Sequence, residues 1–209
     1  MANGTSPRTI RIGLAGLGNV GAGVFKNVAK NRDLILQRTG ASLEITRVAV
    51  RNLSRKRDVE VPAAVLTADW REIVADPAIQ VVVELIGGTT EAFDLVSASL
   101  RAKKIVVTGN KALLAERGQE LFALAEECRV PIYFEAAVAG GIPIIQVLQE
   151  GLVANHIRSI HGIINGTCNY ILTRMSQAGL SYSDALQEAQ DKGYAEADPT
   201  LDVSGWDAA

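Results

Sequence analysis

An α/β architecture is predicted for the first two-thirds of this chain: a doubly wound parallel sheet, followed by the start of an α+β unit. Three observations carry that prediction. From residue 10 to residue 135, short apolar runs alternate with stretches of helical length, joined by short connections. Repeated βα units of this kind build a parallel sheet covered by helices on both faces. Between the first run and the first helix lies Gly16-Leu-Gly-Asn-Val-Gly21, with three glycines in G-x-G-x-x-G spacing. The alternation then ends after Glu135, where Ala139-Gly-Gly-Ile-Pro143 forms a hinge of small residues.

The elements follow in order. Residues 10–15 form the first strand and 20–37 its helix. Residues 43–50 form a second strand, and the charged, Pro-containing stretch 53–64 reads as loop. A short helical piece covers 68–76, ended by Asp76-Pro77. Residues 81–86 are continuously apolar around one Glu, as in a buried parallel strand. A helix over 90–102, a strand over 105–108, a helix over 112–128 and a strand over 131–135 complete the pattern. Past the hinge, Pro143 suits the first turn of a helix running to about 152. Residues 156–164 read as a strand and Asn165-Gly166 as a turn. Thr167 suits the N-cap of a helix over 168–178. A last helix starts at Ser181 or Ser183 and stops at Gly193. Residues 194–209 are acidic and irregular. The domain reading is a flexible tail over 1–9, a nucleotide-binding domain over 10–137 and a second domain over 138–209.

Composition excludes several classes of function. The chain is 48% hydrophobic, enough for a core, and its net charge of −2 offers no basic field for nucleic acid. No apolar run is long enough to span a bilayer, and the polar start lacks a signal-peptide core. Cys128 and Cys168 lie far apart and form no metal spacing or disulfide framework. They read as free thiols of a cytoplasmic protein.

The chemistry-bearing motifs begin with the glycine loop. Its first glycine permits a sharp turn, its second a close approach to a pyrophosphate, and its third close packing of helix on strand. The helix start then presents N–H groups to the anion. A Rossmann domain holding a dinucleotide is therefore expected, with Gly16, Leu17, Gly18, Asn19, Val20 and Gly21 at the cofactor. NAD-binding domains usually place Asp or Glu after the second strand, to bond the ribose. This chain has Arg51, followed by Asn52-Leu-Ser-Arg-Lys-Arg57. That cationic cluster suits a 2′-phosphate, so NADP is expected, with NAD as the alternative and a solvated basic loop as the bland reading. Lys111, just past a strand end, is either a proton-transfer or substrate lysine or an ordinary surface lysine. Glu196, Asp198, Asp202 and Asp207 could hold an amine or a divalent cation, or form an acidic loop. His156 and His161 read as structural.

Several of these segments together resemble the homoserine dehydrogenases. The matching motifs are Gly16-Leu-Gly-Asn-Val-Gly21, Val83-Glu-Leu-Ile-Gly-Gly88, Thr108-Gly-Asn-Lys-Ala-Leu-Leu114 and Glu135-Ala-Ala-Val-Ala-Gly-Gly-Ile-Pro-Ile145. Gly162-Ile-Ile-Asn-Gly-Thr-Cys-Asn-Tyr170, Gly193-Tyr-Ala-Glu-Ala-Asp-Pro-Thr-Leu-Asp202 and Gly205-Trp-Asp-Ala-Ala209 follow. The glycine loop is generic, whereas the segments 165–169 and 196–199 are specific to that family.

The resemblance implies reversible, NAD(P)-dependent interconversion of L-homoserine and L-aspartate 4-semialdehyde, a step in threonine, methionine and isoleucine synthesis. It implies that Lys111 is an active-site lysine near both nicotinamide and substrate. Gly87 and Gly193 would contact the cofactor, with Arg51 near the adenosine ribose or its phosphate. Glu196 and Asp207 would hold the amino and hydroxyl ends of the substrate. A structural sodium ion would sit on the backbone carbonyls of Glu135, Val138, Gly140 and Ile142. The full-length protein would be a homodimer, acting on a small molecule without nucleic acid or membrane. In that family a second lysine shortly after the Asp-Ala-Ala segment is the usual proton donor. The sequence stops at Ala209, so weak or absent turnover is expected of these 209 residues. Two other readings compete: a dehydrogenase of another amino-acid semialdehyde, and a cofactor-binding module without catalysis.

Overall fold

The computed structural model describes residues 7–195 and 198–205, with the backbone alone at residue 201. The chain forms two compact units, residues 1–153 and 154–209.

The first unit is built on a six-stranded, all-parallel sheet: β1 (Arg8–Ala15), β2 (Ala41–Ala49), β3 (Leu66–Thr67), β4 (Val81–Glu84), β5 (Ile105–Thr108) and β6 (Ile132–Tyr133). The strand order is β3-β2-β1-β4-β5-β6, the doubly wound order of dinucleotide-binding sheets, whose ligands lie beyond the strand C-termini at the central reversal. Five helices accompany the strands: α1 (Asn19–Lys30), α2 (Arg32–Thr39), α3 (Arg71–Ala75), α4 (Thr90–Arg101) and α5 (Lys111–Cys128). Alternation along the strands supplies apolar side chains to both faces of the sheet. Ile12, Leu14, Val48 and Val83 pack with Phe25 of α1 on one side. Ala15 and Val82 pack with Ile73 of α3 and Leu95 of α4 in a second cluster. Val106 joins Val96, Leu113 and Leu121 of α4 and α5 in a third.

The structure redraws several expected elements. The single helix expected over 20–37 is divided at Asn31, where the backbone turns to φ −104°, ψ 19°. The second piece ends on Gly40 in the left-handed region. β3, a two-residue edge strand, was not expected. β4 stops two residues early because the Glu84 side chain takes the Ile86 N–H, at 2.9 Å. β6 is shorter than expected and runs into a 3₁₀ turn, Glu135–Ala137. The Glu135 carboxylate then receives the N–H groups of Ile145 and Gln146, both at 2.9 Å. It thereby starts α6 (Ile144–Gln146), which continues as a π-turn, Val147–Gly151.

In the second unit, α7 (Gly166–Ala178) and α8 (Tyr182–Asp191) pack through Ile171, Ala185 and Ala189, and a short helix α9 (Thr200–Val203) follows. Ser181 caps α8, as expected. The cap of α7 is Asn165 rather than Thr167: its side chain accepts from Cys168 N at 2.7 Å. Thr167 instead donates to the Tyr194 carbonyl at 2.7 Å. The strand expected over 156–164 does not form. That segment is exposed throughout and pairs with no strand among the described residues. Its isoleucine content resembles a strand, but a strand needs a ladder partner for its N–H and C=O groups.

Candidate functional site

The loop from β1 into α1 occupies the central reversal of the sheet. Gly16 has φ +99°, and a Cβ there would strike the backbone carbonyl of Leu85. A Cβ on Gly21 would strike the Gly16 carbonyl, so the helix rests directly on the turn. A Cβ on Gly18 would meet nothing within 4 Å. The first and third glycines are thus required by protein contacts. The second leaves open space beside the start of α1, which no side chain caps and no acidic residue precedes in its first turn. That is the donor chemistry and clearance a pyrophosphate requires.

Gly16, Leu17 and Gly18 line one wall of a cleft of about 480 Å³ at the strand C-termini, within the range of small-ligand sites. Arg51, Arg55 and Arg57 line another, with Trp70 and Glu91 also at its edge. The basic loop braces itself. The Arg57 guanidinium donates to the Asn52 carbonyl at 2.5 Å and the Arg55 carbonyl at 2.8 Å, while the Asn52 side chain accepts from Ser54 N at 2.9 Å. No acid follows β2, whose end runs Ala49-Val-Arg51.

Next to this cleft, Gly87 and Gly88 follow Leu85 and Ile86, and both have φ +72°. Lys111 is the exposed first residue of α5. It is set there by Asn110, whose side chain accepts from Leu113 N at 3.1 Å and donates to the Gly88 carbonyl at 2.8 Å. The structure therefore joins the loop carrying Gly87 to the loop carrying Lys111. Asn19 and Val20 lie exposed in the first turn of α1.

Two models of known families match: homoserine dehydrogenase, NAD binding domain, over residues 16–135, and homoserine dehydrogenase over residues 143–209. The chain belongs to the homoserine dehydrogenase family. It is 48% identical to the homoserine dehydrogenases of Bacillus subtilis and Pseudomonas aeruginosa, over 97% of its own length and 47% and 46% of theirs. It therefore spans about half the length of these curated relatives. Among solved structures, it superposes on the homoserine dehydrogenase of Thiobacillus denitrificans with a TM-score of 0.83 and 47% identity. That match covers 96% of this chain and 46% of the other. A hyperthermophilic archaeal homoserine dehydrogenase in complex with NADPH aligns at 29% identity and a TM-score of 0.77, covering 96% of this chain and 66% of that one.

The cleft in the first unit lies within the part of the chain that the family's NAD binding domain matches. Glu196 and Asp207, expected at the substrate, lie outside the described residues. Gly193 belongs to the second unit, where it ends α8 with φ +75°. The second unit has a cleft of its own, about 480 Å³, lined by Asn165, Thr167, Tyr170, Tyr194 and Asp202. Asn165 donates to the Asp202 carboxylate at 2.8 Å. Asp202 was expected among the carboxylates that could hold an amine, whereas Asn165 was expected only as part of a turn, and Thr167, Tyr170 and Tyr194 were not expected as lining. The signal was that all five fall inside two of the matching motifs, 162–170 and 193–202. Among the described residues, no group of three or more His, Cys, Asp or Glu side chains is arranged for a metal ion. The four carbonyls expected to hold sodium are hard oxygen donors of the right kind. Two of them already accept backbone N–H groups: Glu135 from Val138 at 3.2 Å and Ile142 from Ile144 at 2.8 Å.

Proposed function

We propose that this chain carries the cofactor-binding and part of the substrate-binding machinery of an NADP-dependent homoserine dehydrogenase, interconverting L-homoserine and L-aspartate 4-semialdehyde. The observation that carries the reading is Lys111. It opens α5 at the C-terminal end of β5, held by an Asn110 side chain bonded to the loop beside the dinucleotide cleft. A bound nicotinamide would supply the donor or acceptor for a hydride at the substrate carbon. The chain's own share is to place the substrate and manage the proton. The Lys111 ammonium supplies positive charge and a proton to the oxygen as it gains negative charge, and in the reverse direction the neutral amine accepts the hydroxyl proton.

Preference for NADP rests on the absence of an acid after β2 and on Arg51, Arg55 and Arg57 at the cleft. Glu196 and Asp207 are assigned to the amino and hydroxyl ends of the amino-acid substrate. The family resemblance supports that assignment, as does the Asp202 carboxylate beside Asn165. The same resemblance supports a homodimer and a sodium ion on the carbonyls of Glu135, Val138, Gly140 and Ile142, and the free thiols Cys128 and Cys168 support a cytoplasmic location. No described helix is long and apolar enough to cross a membrane.

The test is the initial rate of NADP-dependent homoserine oxidation for the full-length protein, as wild type and as Lys111→Ala. Loss of a positioned proton-transfer group predicts a fall in kcat of about 10²–10⁴-fold with NADPH binding retained. Unchanged turnover in Lys111→Ala would remove Lys111 from the chemistry. NADPH binding without any homoserine turnover by the wild type would favour the cofactor-binding module.

A further inference from the structure

We propose that Glu84 is a positioning residue for Lys111: a buried carboxylate that clamps the loop after β4 to the loop after β5. This inference rests on the reading of Lys111 given above.

Glu84 ends β4 and is fully buried, in register with Ala15 of β1 on one side and Thr108 of β5 on the other. Its Oε2 accepts from the Thr108 hydroxyl at 2.6 Å. Its Oε1 accepts from Ile86 N at 2.9 Å and, more weakly, from Asn110 Nδ2 at 3.4 Å. These donors are uncharged, and they come from both loops. Asn110 closes the circuit: its N–H donates to Thr108 Oγ1 at 3.0 Å, its amide donates to the Gly88 carbonyl, and its Oδ1 caps α5 ahead of Lys111.

A carboxylate taken out of water costs several kcal/mol before its partners offset it. The apolar alternation of β4 would accept a valine at this position with no such penalty. What valine cannot supply is an acceptor for three donors on two loops. Glutamine cannot supply it either. Its amide NH₂ must replace one oxygen, and it then faces a donor. If it faces Thr108, the hydroxyl proton in that 1% exposed side chain loses its acceptor. The charge is therefore matched to the clamp, and the clamp ends on the residue that caps the helix of Lys111.

The experiment compares wild type, Glu84→Gln, Lys111→Ala and the double variant, by homoserine turnover and by amide hydrogen exchange. Displacing a reacting group by a small distance predicts a fall in kcat of about 10²-fold for Glu84→Gln. Because Glu84 acts through Lys111, the double variant should fall no further than Lys111→Ala. Exchange should quicken at residues 86–88 and 110–114 and stay unchanged in the glycine loop, 16–21. Additive losses in the double variant, or exchange raised evenly across the sheet, would overturn the proposal. If Glu84→Gln fails to fold, Asn110→Ala cuts the same circuit with the carboxylate kept, and the same outcomes decide. A wild type without homoserine turnover would defeat the functional reading alone. The clamp is then judged by exchange, and unaltered protection at 110–114 would refute it.

Discussion

Replacing each glycine of the β1–α1 loop by alanine separates what the fold requires from what the cofactor requires. Gly18→Ala introduces a methyl group into space that no protein atom approaches within 4 Å. Its backbone, at φ −77° and ψ −161°, is open to any residue. Alanine is a poorer N-cap than glycine by up to about 1 kcal/mol, and the stiffer unfolded chain returns about 0.4–1 kcal/mol. The two offset, so the melting temperature should stay within about 2–4 °C of wild type. NADPH affinity should fall at least about tenfold, equivalent to about 1.4 kcal/mol, because the methyl occupies the approach of the pyrophosphate. Gly16→Ala and Gly21→Ala should behave differently. Each drives a Cβ into a backbone carbonyl, and Gly16 adds a left-handed φ. Overpacking of this kind costs about 1–3 kcal/mol. At about 2–4 °C per kcal/mol in a chain of this size, melting should drop by about 2–12 °C. Thermal unfolding by circular dichroism and NADPH titration by fluorescence read both quantities on the same samples. Wild-type NADPH affinity in Gly18→Ala would refute the reasoning, because the open face of Gly18 would then not be where the phosphates pass.

Three further perturbations test other parts of the molecule. Arg51→Glu should cut the ratio of NADPH to NADH affinity by about tenfold or more, the worth of one hydrogen bond to a charged group; an unchanged ratio in parallel titrations removes Arg51 from selection. Glu188 accepts from Lys192 Nζ at 2.6 Å and Arg174 Nε at 2.8 Å, and these bonds, with one from the Tyr170 hydroxyl, lower its pKa from 4.5 to about 2. A lowered carboxylate pKa makes the stabilisation complete above about 4.5 and loses it as pH falls toward about 2. Urea unfolding across that window should fall more steeply in wild type than in Glu188→Gln, and parallel curves would rule the bridge out as the cause. Sodium should raise the melting temperature relative to choline at equal ionic strength, by linkage to a site in the folded chain; equal values would argue against the carbonyl site.

The sheet was legible because its signals are local. Val81-Val-Val-Glu84 and Ile105-Val-Val-Thr108 are apolar runs bounded by helices, and the glycine spacing marks the first crossover. Helix caps were legible for the same reason at Ser181, where a short polar side chain precedes the helix by one residue. What sequence periodicity could not show is pairing. The isoleucines at 157, 160, 163 and 164 have the composition of a strand, yet all four remain exposed, from 46% to 74%. Nothing in such a run states which other segment will supply the ladder. The same limit hid Glu84. As one acid in an apolar run, it reads as an exception to be tolerated. Its meaning comes from Thr108 and Asn110, 24 and 26 residues away, which only the register of β4 on β5 brings to its two oxygens. The β1–α1 turn could be read from one loop because strand, glycines and helix are contiguous. The placement of the lysine beside it depends on long-range bonds, and a site assembled that way leaves only scattered polar residues in the sequence. A buried acid at the C-terminal end of a central parallel strand is therefore a pointer to the loops on either side of it, where the chemistry of a doubly wound fold is carried.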